Sequence, residues 1–101
     1  MNIEILYFDG CPTYQTAEQT LREIIAGEGI TAYVGLVAVN TDEDAQRLKF
    51  PGSPTIRVDG QDLFPTPERQ DYRLGCRMYA TPEGLKGSPT AKMLREAISR
   101  T

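Results

Sequence analysis

The most constraining feature of the sequence is an apolar N-terminal segment that stops at a turn and continues as a helix. Within Ile3–Phe8 both alternating faces are largely apolar, which is typical of a strand buried on two sides near the centre of a sheet. Asp9–Pro12 ends this strand. The apolar residues that follow recur at helical spacing: Tyr14, Ala17, Leu21, Ile24 and Ile25. A strand, a tight turn and a helix in this order predict an α/β fold.

The next elements continue this alternation. Thr31–Val39 is rich in Val, Tyr and Thr and predicts a second buried strand. Thr41 is expected to cap a short helix, which ends near Phe50 because Pro51 disfavours helical geometry at the residue before it. After a loop, Thr55–Val58 alternates cleanly as a third strand.

The C-terminal part begins with a hairpin and ends with a helix. Asp59–Gly60 favours a tight turn, so Gln61–Phe64 is expected to return antiparallel to the third strand. Residues 65–87 predict an irregular insertion, in which only Leu74–Tyr79 resembles an ordered strand. Ser88 as N-cap and Pro89 in the first turn predict a last amphipathic helix.

The element order is therefore βαβαββα within one domain spanning residues 1–101. Two strand–helix–strand crossovers predict parallel pairing, and the hairpin adds antiparallel strands, giving a mixed four-stranded sheet with helices on both faces.

Composition limits the chemistry available to such a domain. The net charge of −3 differs from the basic footprint of nucleic-acid binders, so no nucleic-acid partner is expected. No apolar run is long enough for a membrane span, and no signal peptide is recognisable, so the cytoplasm is the expected location. Two cysteines and no histidine exclude a four-ligand zinc site and an imidazole-activated nucleophile. No cofactor and no resident metal are expected.

Two short motifs resemble the thioredoxin/glutaredoxin superfamily when taken together with this element order. Gly10–Tyr14 follows the first strand at a helix start, and Gly52–Thr55 opens the third strand, where that superfamily carries a cis-proline. The resemblance covers residues 1 to about 64 and, less closely, the last helix. It implies a thioredoxin-like domain in which Pro54 follows a cis peptide bond and the Ser53 backbone pairs with an extended substrate. Substrate would then contact Pro12, Tyr14, Ser53, Pro54 and Thr55.

Cys11 is the expected nucleophile. Amide groups at a helix start stabilise a thiolate and lower the pKa of the thiol, although a nearby Asp9 would oppose this effect. The resemblance also breaks here, because Tyr14 stands where a dithiol enzyme has its second cysteine. Cys11 would therefore act as a monothiol that needs an outside thiol such as glutathione, or another cysteine. The alternative is a small apolar residue packed at the end of a strand.

Cys76 is the candidate resolving cysteine. Arg73 and Arg77 flank it and could stabilise its thiolate. However, the alternation within Leu74–Tyr79 directs Cys76 towards the core, and structural burial is the favoured interpretation. If this segment were helical, Arg69 would join the two flanking arginines on one face.

Three functions follow from these residues. The first is monothiol thiol–disulfide exchange or deglutathionylation by Cys11, with a protein or a low-molecular-weight thiol or disulfide as partner. The second is a non-catalytic module that binds a peptide or partner beside Pro54. The third is soft-metal binding by Cys11 and Cys76. Gly84–Ser88 is only a loose counterpart of a glutathione-binding loop, and Ser88 is better explained as a helix cap.

Overall fold

The computed structural model describes residues 1–101 as an α/β fold with three helices. Its main sheet has the strand order β2-β1-β3-β4, and an additional two-stranded hairpin is formed by β5 and β6. The element bounds are β1 Asn2–Tyr7, α1 Tyr14–Gly27, β2 Tyr33–Ala38, α2 Asp42–Leu48, β3 Thr55–Val58, β4 Gln61–Asp62, β5 Tyr79–Thr81, β6 Gly84–Lys86 and α3 Ala91–Ser99. The predicted βαβαββα order and mixed four-stranded sheet are confirmed.

Strand β1 lies at the centre of the sheet. It pairs in parallel with β2, Ile5 opposite Leu36, and antiparallel with β3, Ile5 opposite Ile56. The second crossover therefore does not produce parallel pairing, contrary to the sequence prediction. Its helix, α2, has only seven residues, and the chain enters β3 in the reverse direction.

The prediction that β2 is buried is also wrong. Strand β2 forms one edge of the sheet, and the exposed fractions of Tyr33 and Leu36 are 70% and 43%. Its Val- and Tyr-rich composition reflects strand propensity, which does not distinguish an edge from a centre.

Helices cover both faces of the sheet, as predicted. On one face, α1 and α3 pack on β1 and β3 around the buried residues Ile3, Ile5, Ala17, Leu21, Ile24, Ile56, Val58, Leu63, Leu94, Ala97 and Ile98. On the other face, a smaller cluster joins Leu6, Val39, Ala45, Phe50 and Tyr72. Apolar side chains on both faces of β1 thus account for its central position.

Local turns and caps follow the sequence with one exception. The Asp59–Gly60 turn has positive φ at both residues, 50° and 87°, as a tight hairpin requires. The Thr41 side chain accepts a hydrogen bond from the Asp44 N–H and caps α2 as predicted. Helix α3, however, is capped by Thr90, so the prediction of Ser88 as its N-cap is wrong. Pro89 precedes the cap instead of opening the first turn.

Residues 65–78 contain no helix and no regular strand. The predicted strand phase of Leu74–Tyr79 is wrong, because Arg77 and Tyr79 are buried while Cys76 and Met78 are exposed. The arginines at 69, 73 and 77 consequently share no helical face. None of the three helices has the length and hydropathy of a membrane span.

Candidate functional site

Cys11 lies in the turn between β1 and α1, and its exposed fraction is 4%. The Cys11 N–H donates to the Phe8 carbonyl at 3.0 Å, which fixes the turn. The Cys11 Sγ lies 3.5 Å from the Thr13 hydroxyl oxygen and 3.7 Å from the Ser53 carbonyl oxygen. Thr13 occupies the N-cap position of α1 without making a side-chain capping bond. Its hydroxyl contacts the sulfur instead, a role that the sequence analysis missed.

Cys76 forms a disulfide with Cys11. The two Cα atoms are 5.7 Å apart, within the ordinary range for a disulfide, and the two cysteines are 65 positions apart in sequence. The prediction that Cys76 is buried in the core is wrong: its residue is exposed, and it is Cys11 that is buried. The cysteine that pairs with Cys11 is thus not at position 14, which is a tyrosine. It is Cys76, in the irregular insertion.

Ser53 is where the two cysteine-bearing segments meet. Its N–H donates to the Gly75 carbonyl at 2.8 Å, and its carbonyl accepts from the Arg77 N–H at 2.9 Å. These two bonds form a parallel β-bridge between Ser53 and Cys76. The Ser53–Pro54 peptide bond is cis, as the resemblance implied. The backbone edge that the resemblance assigned to a substrate is therefore occupied by this chain's own residues 75–77.

Gly52 permits this close approach. Its φ is +133°, a region that side chains other than glycine rarely adopt. A Cβ at this position would lie 2.8 Å from the Cβ of Arg77. A glycine at position 52 therefore lets the segment that carries Cys76 lie directly against the loop before β3.

Arg77 anchors this segment from below. Its side chain is 6% exposed and forms an ion pair of 2.9 Å with Asp62, whose side chain is 16% exposed. It also donates to the Phe64 carbonyl, and its guanidinium carbon lies 4.6 Å from the centre of the Tyr79 ring. Removing the guanidinium would leave the Asp62 carboxylate and the Phe64 carbonyl poorly solvated and without this partner. Loss of the Arg77 side chain is therefore expected to destabilise the fold strongly. No local sequence pattern indicates this role of Arg77, because its partners are brought together only by the fold.

Tyr79 fixes the other side of the cis-proline loop. Its hydroxyl donates to the Pro54 carbonyl, and burial raises the pKa of Tyr79 above its ordinary value of 10.0. Thr55 is fully buried, and its hydroxyl donates to the Gly52 carbonyl at 2.6 Å. The Ser53 hydroxyl is also buried but makes no hydrogen bond within the protein.

The remaining predicted contact residues lie around the Cys11 turn. Pro12 is exposed, and the Tyr14 ring stacks on Tyr7 with 4.3 Å between ring centres. Gly87 packs against Thr13, since a Cβ there would lie 2.7 Å from the Thr13 methyl group. The loop before α3 therefore does reach the Cys11 turn. Asp9 is exposed.

An open cleft of about 300 Å³ borders the exposed cysteine. It is lined by Pro51, Gly52, Arg69, Asp71, Arg73, Leu74, Gly75 and Cys76. Arg69 donates to the Pro51 carbonyl at 2.9 Å, and Arg73 forms an ion pair of 2.8 Å with Asp71. The lining of the cleft thus combines one cysteine of the disulfide with two arginines and one aspartate.

The structure contains no group of three or more His, Cys, Asp or Glu side chains placed to hold a metal ion. No protein-family model, curated protein or solved structure matches this chain.

Proposed function

We propose that this protein is a thioredoxin-like thiol–disulfide oxidoreductase whose redox centre is the Cys11–Cys76 pair. The observation that carries the proposal is the position of the disulfide. It joins the turn before α1 to the segment paired with Ser53, next to the cis-proline. Membership of the thioredoxin superfamily is part of this proposal, and the β2-β1-β3-β4 order with a cis-proline before β3 supports it.

In the reduced protein, Cys11 and Cys76 are two thiols. The thiolate of one attacks a substrate disulfide, forms a mixed disulfide and expels one substrate thiolate. The other cysteine then attacks the mixed disulfide, closes the Cys11–Cys76 bond and expels the second substrate thiolate. The substrate gains two electrons and the protein loses two. This two-cysteine cycle replaces the monothiol cycle expected from the sequence and needs no outside thiol for resolution.

Cys11 has the surroundings of a stabilised thiolate. Helix α1 starts three residues after it, and the free amide groups of its first turn favour negative charge. The adjacent Thr13 hydroxyl can donate to the sulfur. Both effects stabilise a thiolate at Cys11 and so favour its release from a disulfide.

The fixed position of Cys76 supports rapid closure. Arg77 and Tyr79 are held by buried partners that do not depend on the disulfide. The Ser53 backbone holds Gly75 and Arg77 on either side of Cys76. After reduction, Cys76 therefore remains opposite Cys11.

For a redox-active pair we propose the cytoplasm as the location, because the few disulfides found there are usually transient and catalytic. A disulfide that closes and opens during turnover fits this environment, whereas a permanent one fits an oxidising compartment. Trapping of thiols in intact cells tests this point, and a mixture of reduced and oxidised chains is the expected result.

The second candidate is a non-catalytic module in which the same disulfide is structural. The burial of Cys11 and the occupied Ser53 backbone favour it. The occupied backbone also argues against strand addition by a peptide beside Pro54. Metal binding by the two thiols ranks last, since the disulfide uses both sulfur atoms and no third ligand adjoins them.

Turnover of a small disulfide separates the first two candidates. The reduced protein is mixed with oxidised glutathione, and both the loss of protein thiols and the reduced glutathione released are measured. We expect two glutathione molecules per chain, and a stable mixed disulfide when Cys11→Ser leaves Cys76 as the single cysteine. Exchange no faster than that of an unstructured cysteine peptide would support the structural disulfide instead.

A further inference from the structure

We propose that Cys76, and not Cys11, is the sulfur at which thiols enter the cycle, and that the adjoining cleft selects thiols carrying negative charge. This inference rests on the proposed redox function. In this inference the Cys76 sulfur is attacked by incoming thiols and itself attacks substrate disulfides. The Cys11 sulfur is the leaving group in the first reaction and the resolving thiol in the second. The cleft binds an anionic low-molecular-weight thiol.

Accessibility decides between the two sulfur atoms. Cys11 is 4% exposed and is covered by its own turn and by Ser53. Cys76 belongs to an exposed residue and forms part of the wall of the 300 Å³ cleft. Thiol–disulfide exchange requires the incoming thiolate to reach the sulfur that it attacks. Cys76, as the exposed residue of the pair, is therefore the more accessible side of the bond.

The leaving-group properties agree with this direction of attack. When a thiolate attacks Cys76, the electrons of the broken S–S bond go to Cys11. Cys11 lies three residues before the first residue of α1 and beside the Thr13 hydroxyl, where a thiolate is stabilised. A thiol with a lowered pKa is the better leaving group in this reaction.

The charges of the cleft specify the kind of thiol. Two guanidinium groups, Arg69 and Arg73, and one carboxylate, Asp71, give the lining residues a net charge of +1, although the whole chain carries −3. The Asp42 carboxylate lies just behind the lining, where it accepts a hydrogen bond from the Leu74 N–H at 3.0 Å. Arg69 is held in place by its bond to the Pro51 carbonyl and by the Tyr72 ring 5.3 Å away. Most of its five N–H donors therefore remain available to a carboxylate or sulfonate. Arg73 is 71% exposed, and its Nε is paired with Asp71 at 2.8 Å, which leaves its terminal N–H groups to reach a ligand.

The complete step is balanced. A thiolate RS⁻ attacks Cys76, the Cys11–Cys76 bond breaks, and Cys11 leaves as a thiolate. A second RS⁻ then attacks the R sulfur of the mixed disulfide, which gives RSSR and the Cys76 thiolate. Two thiols are oxidised to one disulfide and the protein disulfide is reduced to two thiols. Substrate reduction is the same sequence in reverse, with Cys76 attacking first.

A charge series of small thiols tests the cleft. The oxidised protein is reduced at low salt by 2-mercaptoethanesulfonate, 2-mercaptoethanol or cysteamine, which are similar in size and carry −1, 0 and +1. Each rate is expressed per thiolate and divided by the rate with a small uncharged disulfide. One unit charge a few ångströms away in water changes such a rate by about two- to fivefold, so we expect an anion-to-cation ratio of about fivefold or more. The ratio should approach one at 1 M salt, where the Debye length is about 3 Å.

Three variants separate the cleft from the net charge of the chain. Arg73→Gln brings the net charge of the cleft lining to zero and should remove most of the preference for anionic thiols. Asp71→Asn brings this charge to +2 and should increase the preference. Arg95→Gln changes the total charge equally but lies on α3, where its nearest acidic partner is Glu28 at 3.9 Å. This control should behave like the wild type.

Mapping of the mixed disulfide tests the entry sulfur. The reaction of the wild type is quenched with acid, free thiols are alkylated, and the adduct is located by mass spectrometry. We expect the thiol on Cys76 and the alkyl group on Cys11. An adduct on Cys11, or equal rates across the charge series, overturns this inference but leaves the redox function intact. A folded protein that exchanges with none of the thiols overturns both.

Discussion

Opening the Cys11–Cys76 disulfide removes a bond between residues 65 positions apart in sequence. In the chain-entropy model, closing a loop of this length lowers the entropy of the unfolded chain by about 15 cal/mol/K, which corresponds to about 4 kcal/mol at 25 °C. Since domains of this size are stable by about 5–15 kcal/mol, reduction should remove a large part of the stability. The larger core cluster contains neither cysteine, so we expect the reduced protein to remain folded.

Urea unfolding with and without a reductant measures this difference. With a urea dependence of about 1.5 kcal/mol/M, 4 kcal/mol corresponds to a midpoint lower by about 3 M in the reduced protein. Cys76→Ser is the matched control, because Cys76 is exposed and its replacement removes little packing. Its midpoint should equal that of the reduced wild type and be unaffected by reductant. A difference below about 1 kcal/mol between oxidised and reduced wild type would refute the loop-closure argument.

Three further predictions concern the residues that hold Cys76 in place. Arg77→Met should lower the free energy of unfolding by about 3–5 kcal/mol in the same urea assay and slow disulfide closure. The control Arg47→Met breaks an exposed ion pair and should lower the free energy of unfolding by less than about 1 kcal/mol. Gly52→Ala should lower the free energy of unfolding by about 1–3 kcal/mol, because of the positive φ at this position and the clash with Arg77. Gly27→Ala meets no neighbour and should raise the free energy of unfolding by up to about 1 kcal/mol in the same thermal unfolding assay. Because the folded-state pKa of Tyr79 is raised, its contribution to stability is complete below its ordinary pKa of 10.0 and is lost as the pH rises above that value. Urea midpoints measured between pH 8 and 11 should show this loss in the wild type and not in Tyr79→Phe.

The parts of the fold that the sequence predicts are those with local causes. The apolar faces of Ile3–Phe8 indicate a central strand, and β1 is central. The Asp59–Gly60 pair predicts a turn that requires positive φ, and the Thr41 hydroxyl predicts a helix cap. In each case the determining interaction lies within a few residues of the signal.

The site depends instead on tertiary partners. Alternation along Leu74–Tyr79 does not reveal which face is buried, because the buried side chain is a cation. Arg77 is buried since Asp62 and the Phe64 carbonyl lie beneath it, and this arrangement turns Cys76 outwards. The Cys11–Cys76 pairing follows from this placement and from the Ser53 bridge. Neither has a local sequence pattern.

The same distinction explains the errors in strand pairing. Thr31–Val39 has the composition of a strand, which does not reveal its place in the sheet. Strand β2 lies at the edge because β3 and β4 are both added on the other side of β1. The direction of β3 relative to β1 depends on the hairpin and on the short α2. These are properties of the assembled sheet.

The central claim is that the Cys11–Cys76 disulfide is a reversible redox centre in the folded protein. Its most direct test is a titration of the native protein with mixtures of reduced and oxidised glutathione, in which alkylation reports the fraction of closed disulfide and circular dichroism reports the fold. We predict a single transition between two thiols and one disulfide, reached from both directions while the fold is retained. A disulfide that opens only when the protein unfolds would contradict the claim and identify the bond as structural.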